Sequence, residues 1–183
     1  VKRQLTEWEK IFASHNPREY NGYKAYWDDG AQVLAPHDKG IINQVNQVKI
    51  EDVLFKGNKN LIEIIGEDVD KAYLNMVKTV CIDPDVIKRQ HNLCIVYTPL
   101  HGAGRVIIPR SLQEWGFTNV HCVKEQMVKD GNFPTVDRPN PEIAEALTLG
   151  LRDAKALDAD ILMASDPDAD RVGMACKDSN GEW

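Results

Sequence analysis

Leu93-Cys94-Ile95-Val96-Tyr97-Thr98-Pro99-Leu100-His101-Gly102-Ala103-Gly104 is the stretch on which the fold turns. Its first five residues form an unbroken apolar run, the kind that a parallel sheet buries on both faces. Pro99 and the two glycines then break the strand. A helix is expected to follow as far as Trp115, where Gly116 stops it, with Pro109 either in its first turn or kinking it. Next come a strand over Asn119 to Val123 and a helix capped by Asn140-Pro141 that ends near Leu157. Ile161-Leu162-Met163-Ala164 is another buried-type strand, and Val172 to Cys176 a further one. Alternation of strand and helix predicts an α/β fold, a three-layer α/β/α sandwich with a mainly parallel sheet and right-handed crossovers. The working loops of such sheets lie beyond the carboxyl ends of the strands, which here means 98–104 and 165–171.

Upstream, the periodicity predicts a helix from Glu67 to Val80, with Val69, Tyr73, Met76, Val77 and Val80 on one face and acids in the first turn. The short apolar run Leu61 to Ile65 opens the alternation of strand and helix. Lys56-Gly57-Asn58-Lys59-Asn60 reads as a linker, so the domain division is placed there: 1–55 and 56–183. Before it, Pro36 opens a helix bearing Ile41, Val45 and Val48. Two short strands, Tyr23 to Trp27 and Ala31 to Ala35, flank the turn Asp28-Asp29-Gly30. Residues 14–22 are dense in loop formers, and Leu5, Trp8, Ile11 and Phe12 recur at helical spacing, with a strand ending near Phe12 as the alternative.

Composition narrows the function. The chain has 183 residues, enough for one domain or one and part of another. Its 22 Lys and Arg against 28 Asp and Glu give a net charge of −6, which argues against nucleic acid, because counterion release needs a basic face. No apolar run approaches the ~20 residues of a membrane span. Cys81, Cys94, Cys122 and Cys176 form no Cys-x-x-Cys pair, so reduced thiols and a cytoplasmic location are expected rather than disulfides or zinc.

Three segments carry chemistry. In Asp166-Pro167-Asp168-Ala169-Asp170-Arg171, carboxylates at alternate positions can converge if the loop curls. Two carboxylates ~4 Å apart repel by about 4 kcal/mol at an effective dielectric near 20, and a hard cation removes that cost. A calcium EF-hand loop does not fit, since its sixth position needs Gly and here is Arg171, and its twelfth needs Glu and here is Lys177. The plain alternative is a solvated acidic turn. Ser14, next to His15 in Ala13-Ser14-His15-Asn16-Pro17, is a candidate nucleophile or simply a turn residue; adjacent side chains are not expected to bond one another productively. The glycines of 98–104 could present backbone N–H groups to an anion, although Lys-Ser/Thr does not follow as in a Walker loop. His101 reads equally well as a structural, hydrogen-bonded group.

Together, Ser-His-Asn-Pro, Asn-Gly-Tyr-Lys (21–24), Asp-Gly-Ala-Gln (29–32), Thr-Pro-Leu-His-Gly-Ala-Gly, Asn-Pro-Glu (140–142) and Asp-Pro-Asp-Ala-Asp-Arg resemble the α-D-phosphohexomutases, the family of phosphoglucomutase and phosphomannomutase. The resemblance implies that Ser14 is phosphorylated and that Asp166, Asp168 and Asp170 hold Mg²⁺ together with it. It implies Lys24 as general acid/base or charge stabiliser, His15 as a loop-shaping or phosphate-contacting residue, and Arg171 as a phosphate-facing cation. The implied reaction moves a phosphoryl group between C1 and C6 of a hexose phosphate through the phosphoserine, with glucose 1- or 6-phosphate favoured and mannose or pentose phosphates as alternatives.

By the same resemblance the chain corresponds to the end of a first domain, a partial remnant carrying the phosphoserine loop, and a second domain. Phe12 stands where the family usually has threonine. A lone chain of this extent is expected to show negligible mutase turnover, because transfer relies on gripping both ends of the substrate. Two other readings stand beside this one: a non-catalytic Mg²⁺- or anion-binding α/β module, and an inert interaction domain.

Overall fold

The computed structural model describes residues 7–12, 14–20 and 22–183. Leu5, Ala13 and Asn21, which entered the expectations above, lie outside the described residues. The chain divides into two compact units. One takes in Tyr23–Tyr73 and the described part of Val1–Ile11; the other takes in Leu74–Trp183 and the described part of Phe12–Gly22.

β1 (Glu7–Phe12) and β2 (Gly22–Trp27) form a two-stranded sheet. Of the helix and the strand that the sequence left open over 5–12, the described residues form the strand, ending at Phe12. A 3.6-residue spacing across so few residues is a weak signal, and pairing with β2 overrides it. The expected partner strand at 31–35 shrinks to a single antiparallel bridge, Tyr26 with Gln32. Trp27 N–H donates to the Ala31 carbonyl and Val33 N–H to the Ala25 carbonyl, at 3.0 and 2.9 Å. Helix α1 (His37–Val45) starts after Pro36 as read. The run Leu61 to Ile65 is not a strand. It is a 3₁₀ turn over Lys59–Leu61 followed by irregular chain, with Leu61 83% and Ile64 90% exposed. Apolar, β-branched composition alone makes no strand where no neighbour supplies the ladder.

α2 (Glu67–Lys78) follows, then a short helix missed in the sequence, α3 (Pro84–Arg89). Asp83 caps α3, accepting the N–H groups of Asp85 and Val86 at 3.0 Å each, with Pro84 at the first position. The second unit is then built on a four-stranded sheet in the order β4-β3-β5-β6: β3 (Ile95–Thr98), β4 (Val120–Cys122), β5 (Ile161–Ser165) and β6 (Val172–Cys176). β3 pairs parallel with both β4 and β5, whereas β5 and β6 form an antiparallel hairpin. All four residues of β3 are buried, as a strand covered on both faces should be.

α4 (Gly104–Trp115) connects β3 to β4 and contacts β4; α5 (Thr148–Ala156) leads into β5 and packs on β3 and β5. Gly116 ends α4 with a φ of 114°, a conformation glycine adopts without steric cost. Pro109 is not in the first turn of α4 but inside the helix, where it cannot donate to the Arg105 carbonyl. Asn140-Pro141 makes a turn rather than the start of a helix. The Asn140 side chain accepts the Glu142 N–H at 3.0 Å, and a 3₁₀ turn over Ala144–Leu147 precedes α5. Gly173 explains why the chain is held there: a Cβ at that position would sit 2.2 Å from the Pro141 carbonyl oxygen. Val96, Val123, Leu147, Ala154, Ala159, Leu162 and Ala164 form the core of this sheet.

Candidate metal centre at the sheet's switch point

The connection from β3 runs to β4 on one side, while the next strand, β5, returns to the other side of β3. That reversal puts the loops after β3 and β5 side by side, where open α/β sheets leave a crevice. They touch. Ala103 N–H donates to the Pro167 carbonyl at 2.8 Å, and a Cβ on Gly102 would meet Pro167 Cα at 2.3 Å. Gly104 is as tightly confined: its Cβ would come within 2.5 Å of the Tyr97 hydroxyl and 2.9 Å of Ser165 Oγ, which bond each other at 2.7 Å. Burial pushes the Tyr97 phenol well above its ordinary range.

These glycines serve close packing rather than the anion cradle suggested by the sequence. The N–H groups of His101, Gly102 and Ala103 already donate to the carbonyls of Gln126, Pro99 and Pro167. His101 is 3% exposed, with Nδ1 2.8 Å from the Val128 carbonyl and Nε2 2.8 Å from Thr135 Oγ1. Both ring nitrogens are spent on structure.

Asp166 organises the second loop. Its Oδ1 accepts the N–H groups of Asp170 and Arg171 at 3.1 and 3.0 Å, and its carbonyl accepts that of Ala169 at 2.9 Å. Ala169 takes the left-handed conformation, φ 60°, that closes the curl. Asp166, Asp168 and Asp170 consequently offer carboxylate oxygens all within 4.8 Å of one another, in a gradient from buried through half-buried to exposed. Asp166 is 0% exposed, and its Oδ2 is buried with no hydrogen-bond partner. Burial first, then the contact with Asp168, pushes the Asp166 carboxyl up from 3.8 to about 6, against the Arg171 amide, which pulls it down. An orphaned buried carboxylate oxygen facing two further carboxylates is a donor set suited to a hard divalent cation.

Ser14 is 8% exposed in a left-handed conformation, φ 56°, and its Oγ lies 3.0 Å from His15 Nδ1. The expectation that these adjacent side chains would not bond is thus corrected; the left-handed backbone at Ser14 allows it. The Ser14 loop groups with the sheet and its carboxylate loop in the second unit, whereas Lys24 sits half-buried on β2 in the first. Arg171 extends its Nη1 to Glu142 Oε1 at 2.9 Å, so the Asn140-Pro141-Glu142 turn holds the guanidinium that sequence reading aimed at phosphate.

Fold and loop together define a class: an open α/β domain with three carboxylates converging at the switch point of its sheet. Comparison with known proteins narrows the class. Residues 71–181 match the model of the phosphoglucomutase/phosphomannomutase α/β/α domain II, and residues 10–51 that of domain I. The chain belongs to the phosphoglucomutase/phosphomannomutase family. It is 39% identical to a phosphoribomutase of Saccharomyces cerevisiae, with 94% of this chain and 30% of that protein aligned. It is 38% identical to a glucose 1,6-bisphosphate synthase of Mus musculus, over 94% of this chain and 29% of that protein. A solved structure assigned as a phosphomannomutase of Thermus thermophilus shares the fold, with a TM-score of 0.73 at 23% identity over 94% of this chain and 37% of that one. The chain spans about a third of the length of the curated relatives it matches. Among the described residues no helix is long and apolar enough to cross a membrane.

Proposed function

We propose that this chain carries the phosphoserine and metal centre of a Mg²⁺-dependent sugar-phosphate mutase. The observation that carries the reading is the curl of 166–170, which converges three carboxylates, one of them buried with an orphaned oxygen, in the same compact unit as the Ser14 loop. Asp166, Asp168 and Asp170, with the phosphorylated Ser14, are the proposed ligands. A phosphoserine adds about −1.5 to −2 charge, which such a centre accepts only with a cation present. When bound, Mg²⁺ supplies charge neutralisation on the phosphoryl oxygens during in-line displacement.

In the proposed reaction a sugar hydroxyl attacks the phosphorus on Ser14, the P–Oγ bond breaks, and the hydroxyl proton passes to a base, for which Lys24 is the candidate. The bisphosphate then turns end for end, Ser14 Oγ attacks its other phosphorus, the bond from that phosphorus to the sugar oxygen breaks, and the sugar oxygen takes back the proton that the base held. His15, 3.0 Å from Ser14 Oγ, orients the hydroxyl for that return. Arg171, steadied by Glu142, keeps further N–H donors of its fork for phosphate. The free thiols suit the cytoplasm, and the proposed domain division at residues 55 and 56 falls between the segments that match the two family domains.

The favoured substrate is glucose 1- or 6-phosphate, with transfer between C1 and C6. The yeast phosphoribomutase match supports a second reading, transfer on a pentose phosphate. Intact-mass measurement should find about 80 Da added at Ser14, the mass of one phosphoryl unit. Single-turnover transfer from phosphorylated Ser14 to glucose 6-phosphate or ribose 5-phosphate then distinguishes the sugars. Transfer to neither leaves the binding-module reading and sinks this one.

A further inference from the structure

We infer that Thr98, His101, Gln126 and Thr135 are positioning residues that brace the carboxylate loop, an inference that rests on the cation-site reading above. Their side chains form one directed relay. Leu100 N–H donates to Thr98 Oγ1 at 3.1 Å, and the Thr98 hydroxyl donates to Gln126 Oε1 at 2.6 Å. Gln126 Nε2 donates to Thr135 Oγ1 at 3.0 Å. The Thr135 hydroxyl then donates to His101 Nε2 at 2.8 Å, because the Val128 carbonyl, 2.8 Å from Nδ1, requires the ring proton on Nδ1. No donor faces a donor. Thr98 and Gln126 are 0% exposed, so the bonds Thr98 makes are away from water, where an unmade one is costly, while those of half-buried Thr135 are only partly screened.

The relay holds backbone that would otherwise relax. Leu100, His101 and Phe133 are all left-handed, with φ of 47°, 66° and 49°, and none is a glycine. Each such residue is strained and persists only where its surroundings enforce it. Phe133 sits edge-on to the His101 ring, 6.3 Å between centroids, closing the brace on its own chain segment. Its output is Gly102-Ala103, which grips Pro167 by the 2.8 Å bond from Ala103 N–H and by the close approach at Gly102. Pro167 lies between Asp166 and Asp168, so the brace sets where two of the three carboxylates stand. None of the four side chains need touch cation or substrate to do this.

Hydrogen exchange on the whole chain tests the brace without any metal. Thr135→Val keeps the shape and removes the hydroxyl, and Thr98→Val does the same at the other end of the relay. Both should speed exchange of the Asp170 and Arg171 amides about tenfold while β5 and β6 stay protected, as expected for losing a buried hydrogen bond from a locally opening unit. Thr135→Ser should restore the wild-type rate. Loop amides that exchange at the wild-type rate in both valine variants would overturn the brace. Calorimetric titration of the wild type with Mg²⁺ alone separates the two ideas. No binding there overturns the cation-site reading, while exchange still decides the brace; with binding, Thr135→Val should weaken it about tenfold, a readout that a purely global destabilisation would not move at temperatures well below unfolding.

Discussion

Residues 74–183 and residues 23–73 are patterned alike and buried differently. In the former, Val96, Leu162 and Ala164 within the sheet and Ala154 on α5 are 0% exposed. In the latter, Val33 is the buried hydrophobic among the described residues, while Leu54, Phe55, Leu61 and Ile64 stand 92, 82, 83 and 90% exposed. Apolar residues become a core only where a ladder or a helix face gives them something to pack on. The segment with the sheet carries the stability, and the carboxylate loop is mounted on that segment.

The sharpest test of the contrast is a pair of truncations. Leu162→Ala should cost about 3–4 kcal/mol in urea unfolding, as buried leucines do, whereas Leu54→Ala should stay within about 0.5 kcal/mol. Equal costs would erase the distinction. Glycines give a second pair. Gly173→Ala drives a methyl against the Pro141 carbonyl and should cost about 1–3 kcal/mol. Gly57→Ala meets nothing within 4 Å and should be neutral or stabilise by a few tenths, roughly the gain from a stiffer unfolded chain.

Within the stable unit, Asp166→Asn removes a buried charge that repels its neighbours. It should stabilise the cation-free protein by about 1 kcal/mol near neutral pH and abolish the rise in Tm on adding Mg²⁺. A retained rise would place the cation elsewhere. The pH profile is the subtlest check. Asp166 holds its proton up to about 6 in the folded chain, against 3.8 for the ordinary side chain. Between those values the native state binds more protons than the unfolded one, so this contribution to stability falls as pH rises from about 4 to about 6 and is flat above. The Mg²⁺-induced rise in Tm should grow across the same window, as the proton ceases to compete.

What the sequence disclosed follows from range. The strands around Val96 and Leu162 were readable because burial on both faces leaves an unbroken apolar run. The carboxylate cluster was readable because its three members lie within five residues. By contrast, Leu61 to Ile65 looks like a strand and is not, since a ladder needs a partner that local composition does not reveal. β6 turned out antiparallel because only the six residues from Asp166 to Arg171 separate it from β5, too few for a crossover. Gln126 and Thr135 gave no signal at all. Their partners are 28 and 34 residues away, and an isolated Gln or Thr in a loop looks like any solvated one. The Ser14–His15 bond is illegible in the sequence for a conformational reason, a left-handed serine that no glycine or asparagine announces.

Ser14, Leu100, His101 and Ala169 share that backbone region, one or two in each loop of interest. For protein engineering this marks where thermal robustness and working precision part company. Ala169→Gly would recover roughly 1 kcal/mol of local strain, yet it would also release the hinge that keeps the acidic turn wound. Screens that reward melting temperature alone would therefore tend to select such glycines, and would blunt the turn in doing so.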